Sequence, residues 1–258
     1  MGKRALIIGN WKMNFTVQQA SIYVLKLNEA IKKRTNVEVS IAPTSLCLQP
    51  LSLQVDRYKM SLTAQNFYWR DEGAFTGEVS AQQLRGLVKY AIIGHSERRH
   101  LFGEPEKSIR NKVQAAVRNG ITPVLCVGET AIERSEGEAS DILHGQVISG
   151  LANLTAEEAK DMVIAYEPVW AIGTGNQATP NDLRQAVRVI RRNIENLFGK
   201  KTSETIRILY GGSVTTSNTT DLLMVNGVDG LLIGGASLRL EEFSSIIEIA
   251  HNVYSRKD

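Results

Sequence analysis

One carboxylate lies where a short apolar run ends and a loop begins. Glu167 follows the run Met162–Tyr166 and precedes a stiff Pro168-Val169-Trp170 segment and a Gly-rich stretch, residues 171–175. A base at a strand end, beside a loop that can close, is typical of an enzyme that abstracts a proton and then excludes water. The alternative at this point is a solvated glutamate at the end of an ordinary strand.

Two further polar side chains follow apolar runs and could assist such a base. Lys12 ends the sequence GNWK, and its ammonium group could hold a phosphate or stabilise a developing oxyanion. His95 opens a polar run that suits the first turn of a helix. The positive end of the helix dipole would lower the pKa of His95 and leave a neutral imidazole, which can donate a hydrogen bond to a carbonyl. The alternatives are a solvated loop lysine and a surface histidine.

Two glycine pairs near the C-terminus predict a phosphate site. Gly211-Gly212-Ser213 and Gly234-Gly235 follow the last two apolar runs of the chain. Glycine lets backbone N–H groups approach an anion closely, and barrels often bind phosphate after their seventh and eighth strands. Either pair alone could be a simple turn.

The elements that must position these residues are short apolar runs separated by segments of helical period. The predicted strands are Ala5–Gly9, Val37–Ala42, Lys59–Ala64, Tyr90–Gly94, Thr122–Val127, Met162–Tyr166, Ile206–Tyr210 and Gly230–Ile233. The clearest predicted helices are Val17–Arg34, Pro105–Asn119 and Pro180–Phe198. Eight alternating units predict an α/β protein, a (β/α)8 barrel in a single domain over residues 1–258. An open doubly wound sheet is the alternative, but its usual G-x-G-x-x-G turn is missing.

Composition narrows the class of protein. The chain has 258 residues, a net charge of +3 and interspersed acidic and basic groups, which do not indicate a nucleic-acid-binding surface. Its two cysteines, Cys47 and Cys126, match no metal or disulfide pattern. No apolar segment approaches the roughly 20 residues of a membrane helix. We therefore expect a cytoplasmic protein with no membrane partner.

Seven motifs, in order along the chain, carry a resemblance to a known family. They are GNWKMN (9–14), QN (65–66), GAFTGEVS (73–80), IIGHSERR (92–99), YEPVWAIGTG (166–175), YGGSV (210–214) and GGASL (234–238). Together they resemble the triosephosphate isomerase family over essentially the whole chain. The resemblance implies a TIM barrel that interconverts dihydroxyacetone phosphate and D-glyceraldehyde 3-phosphate through an enediolate, with no cofactor and no metal.

The resemblance also implies roles for particular residues. Glu167 would be the base that moves the proton, and His95 a neutral electrophile at the substrate oxygens. Lys12 would balance the negative charge, Asn10 would help to hold the substrate, and Glu97 would orient these groups. The residues implied in phosphate binding are Asn10, Lys12, Gly173, Ser213, Gly234 and Gly235. The residues implied in a closing flap are Trp170, Ala171, Ile172, Gly173, Thr174, Gly175, Asn176, Gln177 and Ala178.

Assembly and one departure also follow from the resemblance. The family is usually a homodimer in which the loop 73–80 enters a neighbour's pocket, so that Asn14, Phe75 and Thr76 would lie at the interface. A loop folded back on its own barrel is the alternative, and the sequence does not distinguish a dimer from a tetramer. After GTG the family often has a lysine, and this chain has Asn176 at that position. We expect this difference to affect flap closure rather than the type of reaction.

Two rival functions remain to be weighed. A phosphosugar aldolase of the Schiff-base type needs a lysine at a strand end, commonly the sixth, where this chain has Glu167. A binding protein without activity would have no chemical reason to keep Asn10, Lys12, His95 and Glu167 together. Arg98 and Arg99 are expected to be structural and to pair with carboxylates such as Glu104 or Glu129.

Overall fold

Eight parallel strands form a closed barrel at the centre of the molecule. The structure, a computed structural model, describes residues 3–171 and 178–256. The strands are β1 Ala5–Asn10, β2 Val37–Ala42, β3 Met60–Ala64, β4 Tyr90–Ile93, β5 Thr122–Val127, β6 Val163–Tyr166, β7 Arg207–Tyr210 and β8 Gly230–Ile233. Each strand pairs with the next, and β8 pairs with β1. The predicted (β/α)8 TIM barrel is therefore confirmed.

Helices alternate with the strands and surround the barrel. Those within the described residues are α1 Val17–Ala30, α2 Ser45–Ser52, α3 Ala81–Leu84, α4 Ser96–His100, α5 Glu106–Arg118, α6 Ala131–Ser135, α7 Ala139–Leu151, α8 Ala156–Ala159, α9 Pro180–Thr205, α10 Thr219–Met224 and α11 Leu240–Tyr254. Several begin with a capping box in which a hydroxyl and a side chain three residues later satisfy the first backbone N–H groups; their N-caps are Thr16, Ser80, Thr130, Thr155 and Thr179. None of these helices has the length and apolar character needed to cross a membrane.

Two predicted helix boundaries differ from the structure for local reasons. Helix α1 ends at Ala30 rather than Arg34, because Ile31 adopts an extended conformation. Helix α9 runs past Phe198 to Thr205, across a kink at Gly199, whose φ of 81° is non-helical. Glycine adopts that conformation without a steric penalty, so the chain bends there and resumes helical turns.

The core has two apolar layers because successive strand residues point to opposite faces. Leu6 and Ile8 of β1 face the barrel interior, and Ala5 and Ile7 pack towards the helices. The seam between β1 and β8 requires Gly230, which has a φ of 154° and would bring a Cβ into the backbone of Leu6. The closed sheet leaves its carboxyl ends on one face, where the candidate site residues meet.

Candidate active site

A cavity at the carboxyl ends of the strands brings together side chains that lie far apart in the sequence. It has a volume of about 370 Å³. Its lining includes Asn10, Lys12, His95 and Glu167, which follow or end strands β1, β4 and β6. The turns after β7 and β8 form the rest of the wall. Four of the five side chains that the sequence analysis singled out for chemistry therefore face one space. The fifth, Glu97, is not in the lining but contacts Lys12.

Glu167 is held by three contacts at the end of β6. Its backbone N–H donates to the carbonyl of Val127 at 2.8 Å. Its carboxylate lies 2.9 Å from Nε2 of His95 and accepts the backbone N–H of Ser96 at 2.8 Å. Burial alone would raise the pKa of Glu167, but His95 and the Ser96 amide lower it below its ordinary value. The residue is thus ionised at neutral pH, as a base must be.

His95 lies between two carboxylates. Nε2 faces Glu167, and Nδ1 accepts the backbone N–H of Glu97 at 3.3 Å, which only an unprotonated Nδ1 can do. Burial lowers the pKa of His95, but Glu167 and then Glu97 raise it by more. The expectation of a lowered pKa from the helix dipole is therefore wrong for this arrangement. Helix α4 has five residues, and its partial charge is outweighed by a full carboxylate at 2.9 Å.

Lys12 reaches the cavity from an unusual backbone conformation after β1. Its φ is 52°, and its N–H donates to Oδ1 of Asn10 at 3.1 Å. Gln65 donates to the carbonyl of Lys12 at 2.8 Å. The ammonium group lies 2.5 Å from Oε1 of Glu97, and a Cβ added at Gly234 would lie 3.5 Å from Cε of Lys12. The positive charge is therefore placed between the histidine network and the second glycine pair.

Gly128 and Gly211 provide the space that Glu167 occupies, because neither has a Cβ. The sequence analysis did not predict this role. A Cβ at Gly211 would lie 2.9 Å from Cγ of Glu167, and a Cβ at Gly128 would overlap the Glu167 carbonyl. Gly211 also donates its N–H to the carbonyl of Tyr166 at 2.7 Å. A glycine directly after strands β5 and β7 was the available signal for this close packing.

The predicted phosphate residues in the described part of the chain line the same cavity. Ser213, Gly234 and Gly235 all border it, and nothing lies within 4 Å of a Cβ built on Gly235. A short 3-10 turn, Gly235–Leu238, follows. Arg239 also borders the cavity and was missed, because it lies beyond the strand end where polar residues were sought. The glycine turns and the cations together can hold an anion.

Among the described residues, the carboxylates and histidines near the cavity form pairs rather than clusters. Within residues 3–171 and 178–256, no group of three or more His, Cys, Asp or Glu side chains is placed to hold a metal ion. The two carboxylates of the cavity region are instead paired, Glu97 with Lys12 and Glu167 with His95.

Comparison with known proteins identifies the family. The family model described as triosephosphate isomerase matches residues 5–250. The chain belongs to the triosephosphate isomerase family. The triosephosphate isomerase of Carboxydothermus hydrogenoformans is 43% identical over 247 residues, covering 95% of this chain and 98% of that protein. Those of Acetivibrio thermocellus and Clostridium botulinum are 42% and 40% identical, each over 95% of this chain and over 98% and 99% of their own lengths.

The segment that family resemblance marked as a flap is described only at its two ends. Trp170, Ala171 and Ala178 belong to the described residues, and Ile172, Gly173, Thr174, Gly175, Asn176 and Gln177 lie outside them. At the first end, Nε1 of Trp170 donates to buried Glu129 at 2.8 Å. Tyr166 and Arg134 also contact that carboxylate, at 3.0 and 3.3 Å. Glu129 therefore anchors the start of this segment.

The residues expected at a dimer interface lie outside this cavity. Asn14 donates to the carbonyl of Trp11 at 2.6 Å. Phe75 is 38% exposed, and its ring packs on Tyr68 of the same β3–α3 connection with centroids 4.5 Å apart, so the loop packs on its own base. Thr76 beside it is exposed. The tip of this loop is thus available for contact.

The two arginines that follow the turn at His95 are structural, as predicted. Arg98 pairs with Glu104 at 3.3 Å. Arg99 pairs with Glu106, which was not foreseen, and its guanidinium also donates to the carbonyl of Gly94 at 2.7 Å. These contacts tie α4 to the end of β4 and to α5.

Proposed function

We propose that this chain interconverts dihydroxyacetone phosphate and D-glyceraldehyde 3-phosphate through an enediolate, the triosephosphate isomerase step of glycolysis. The observation that carries the proposal is the ionised, buried carboxylate of Glu167 opposite the Nε2 of His95 in a cavity of about 370 Å³. Family membership supports the substrate, because the relatives that match almost end to end are triosephosphate isomerases.

In the first step, Glu167 would take a proton from the hydroxymethyl carbon of dihydroxyacetone phosphate. The electron pair of that C–H bond forms the carbon–carbon double bond, and the carbonyl electrons move onto oxygen. His95 would donate the Nε2 hydrogen bond to this oxygen, while the Lys12 ammonium and Asn10 stabilise its charge. The phosphate would be held by Ser213 and the glycine turn at 234–235.

In the second step, the protonated Glu167 would return the proton to the neighbouring carbon. A proton moves between the two substrate oxygens by way of His95, and the aldehyde forms. One carbon is oxidised and its neighbour reduced, so the reaction balances within a single molecule and consumes no external reductant.

Substrate must enter between Glu167 and His95, which are in direct contact at 2.9 Å. Separating them removes the largest influence that raises the pKa of His95, which favours the neutral imidazole. It also removes the main influence that lowers the pKa of Glu167, while the burial that raises it remains. Binding would therefore make Glu167 a stronger base and His95 a neutral donor at the same moment.

A coupled assay with D-glyceraldehyde 3-phosphate tests this function. We expect turnover that a phosphoglycolate-type inhibitor suppresses, because this anion would occupy the same cavity. Absence of turnover would contradict the proposal. Treatment with substrate and borohydride separates the aldolase alternative, since a Schiff base would leave a stable adduct on lysine and an isomerase would not.

We further propose that residues 1–258 form one domain and that two copies assemble into a homodimer. A second cavity, of about 280 Å³ and lined by Met13, Gln65 and Asn66 among others, lies beside the loop 73–80. The Met13 side chain is 93% exposed there. A partner's loop tip, with Thr76, would fill this cavity and cover Met13.

Free, buried Cys47 and Cys126 support a reducing cytoplasmic location.

A further inference from the structure

A third cavity opens on the face of the barrel opposite Glu167. It has a volume of about 400 Å³. Its lining residues lie just before the strands or at their first positions, as Arg4, Lys89 and Arg207 do for β1, β4 and β7. The strands are parallel, so this is the amino-terminal face, which contributes nothing to the proposed isomerase site.

The centre of this cavity is one carboxylate surrounded by cations. Glu38 of β2 accepts the Tyr90 hydroxyl at 2.6 Å and lies 3.0 Å from the guanidinium of Arg207. Arg207 also donates to the Tyr90 oxygen at 2.8 Å. Lys89 pairs with Glu38, and Arg4 approaches it at 3.5 Å. A single negative charge therefore faces three positive ones.

The cavity concentrates positive charge that the rest of the surface balances. Its lining has the five cations Lys3, Arg4, Lys89, Lys160 and Arg207, and the two carboxylates Glu38 and Asp161. The surplus of three equals the net charge of the whole chain. Outside the lining, Asp229 pairs with Lys3 and Arg191, and Glu157 pairs with Lys160. These partners add two negative charges and one positive charge, so the surplus falls only to two.

The cations around Glu38 differ in how far they are exposed to solvent. Arg207 is 18% exposed, and its contacts with Glu38 and Tyr90 hold it in the wall. Arg4 and Lys89 are 52% and 49% exposed, and each has more N–H donors than its contact with Glu38 uses, so it can also bind a second anion.

The helix end at this face does not cancel the positive charge. Helix α9 ends here at Thr205, and the last carbonyls of a helix carry partial negative charge. Arg191 donates to the carbonyls of Ser203 and Ile206, and Lys3 donates to Ile206 at 3.2 Å. These two cations satisfy the carbonyls. Arg4 and Lys89 contact Glu38, and Lys160 pairs with Glu157, but all three are at least 43% exposed and keep further N–H donors for a ligand.

We propose that this cavity binds a small molecule carrying two or more phosphate groups. Its volume exceeds that of a single phosphate and matches the cavity assigned to a triose phosphate at the other end. Its cations belong to different parts of the chain, next to β1, β4 and α8 and in β7, and their surplus of three positive charges exceeds the roughly two negative charges of one phosphate. The Thr122 hydroxyl adds a neutral donor along the wall, whereas the Thr205 hydroxyl already donates to the carbonyl of Thr202 at 2.9 Å.

Calorimetric titration with inorganic tripolyphosphate at about 0.15 M salt tests the site, with a phosphoglycolate-type inhibitor present to fill the proposed catalytic cavity. We expect one site per chain. The double variant Arg4→Gln, Lys89→Gln should weaken binding at least about tenfold, because each substitution removes a charge-assisted hydrogen bond. Asp161→Asn removes a negative charge from the exposed rim and should tighten binding.

The matched control is Arg188→Gln with Lys107→Gln, which removes the same charge from exposed positions outside this cavity. It should leave the affinity within about twofold of the wild type. Equal weakening by the control would overturn the proposal by showing a general charge effect. Absence of tripolyphosphate binding, or binding that the Arg4 and Lys89 substitutions leave unchanged, would also overturn it. None of these residues lies in the proposed isomerase site, so failure here leaves that function intact.

Discussion

At the scale of single residues, the environment of a carboxylate decides what it can do. Glu167 and Glu38 are both buried and both ionised, but at opposite faces of the barrel. Glu167 has one principal side-chain partner, His95, which a substrate can displace. Glu38 is surrounded by three cations and a hydroxyl and has no comparable freedom. The first arrangement suits a base, and the second suits a structural anchor.

The contacts of Glu38 predict that the free energy of unfolding depends on pH. Burial raises the pKa of Glu38, but hydrogen bonds from Lys89 and Tyr90 and the charge of Arg207 lower it overall, from 4.5 to about 2. The Glu38 carboxylate binds a proton near pH 4.5 in the unfolded chain and only near pH 2 in the folded chain. The stabilisation is therefore complete above the unfolded pKa and is lost as the pH falls through the folded one.

Glu38→Gln should lower the free energy of unfolding at pH 7 by about 3 kcal/mol. This deficit should shrink between pH 4.5 and pH 2, where the wild type loses the same contribution. Urea denaturation across that range measures it, with the exposed Glu29→Gln as a control that stays near the wild type. A deficit that is the same at every pH would contradict the assignment.

The sequence predicted the side chains of the site better than their surroundings. Asn10, Lys12, His95 and Glu167 follow or end apolar strands, which is a visible pattern. The Ser96 amide that binds Glu167 is a backbone group, and nothing in its side chain signals that contact. The sign of the pKa shift of His95 was also missed, because it depends on a carboxylate 72 positions later in the chain.

At the scale of elements, strands were located almost to the residue and helices less well. Strands such as β4 and β6 are continuous apolar runs with every residue buried, so composition marks their limits to within one residue. The end of α1 depends on one extended residue, Ile31, and the kink in α9 on Gly199. Such local backbone choices leave no periodic signal.

The turn after β7 carries a prediction about catalysis. Gly211→Ala places a Cβ within 2.9 Å of Cγ of Glu167, so the base must move. A displacement near 1 Å can cost about 100-fold in rate, and we expect turnover to fall by about that factor. The coupled isomerase assay measures it.

Gly145→Ala is the matched control for this substitution. Gly145 lies within α7, and a Cβ there meets nothing within 4 Å. We expect unchanged turnover and a stabilisation of about 0.5–1 kcal/mol, because alanine favours the helix. Full turnover by Gly211→Ala would show that this glycine does not set the position of Glu167.

At the scale of the whole molecule, the closed barrel separates two tasks. Its carboxyl face brings the proposed catalytic groups together, and its amino-terminal face holds the cation-rich cavity around Glu38. Between the faces, the apolar layers inside and outside the sheet fix each strand end. Assembly into a dimer would add a third surface, around the loop 73–80.

Dimerisation predicts an effect of charge at the loop tip. Thr76→Glu should weaken association, because a carboxylate taken into a partner's cavity loses its hydration without a matched cation. Sedimentation over a range of protein concentrations measures the effect, with the exposed Thr220→Glu as a control. A wild-type protein that is monomeric at all concentrations would contradict the homodimer.

The turnover of Glu167→Gln tests most directly whether Glu167 is the base of an aldose–ketose isomerisation. The carboxamide keeps the size of the side chain but cannot accept the proton, so kcat should fall about a thousandfold. Circular dichroism should show an unchanged fold, and the exposed Glu195→Gln should retain wild-type turnover. Near-normal turnover of a folded Glu167→Gln variant would contradict the account.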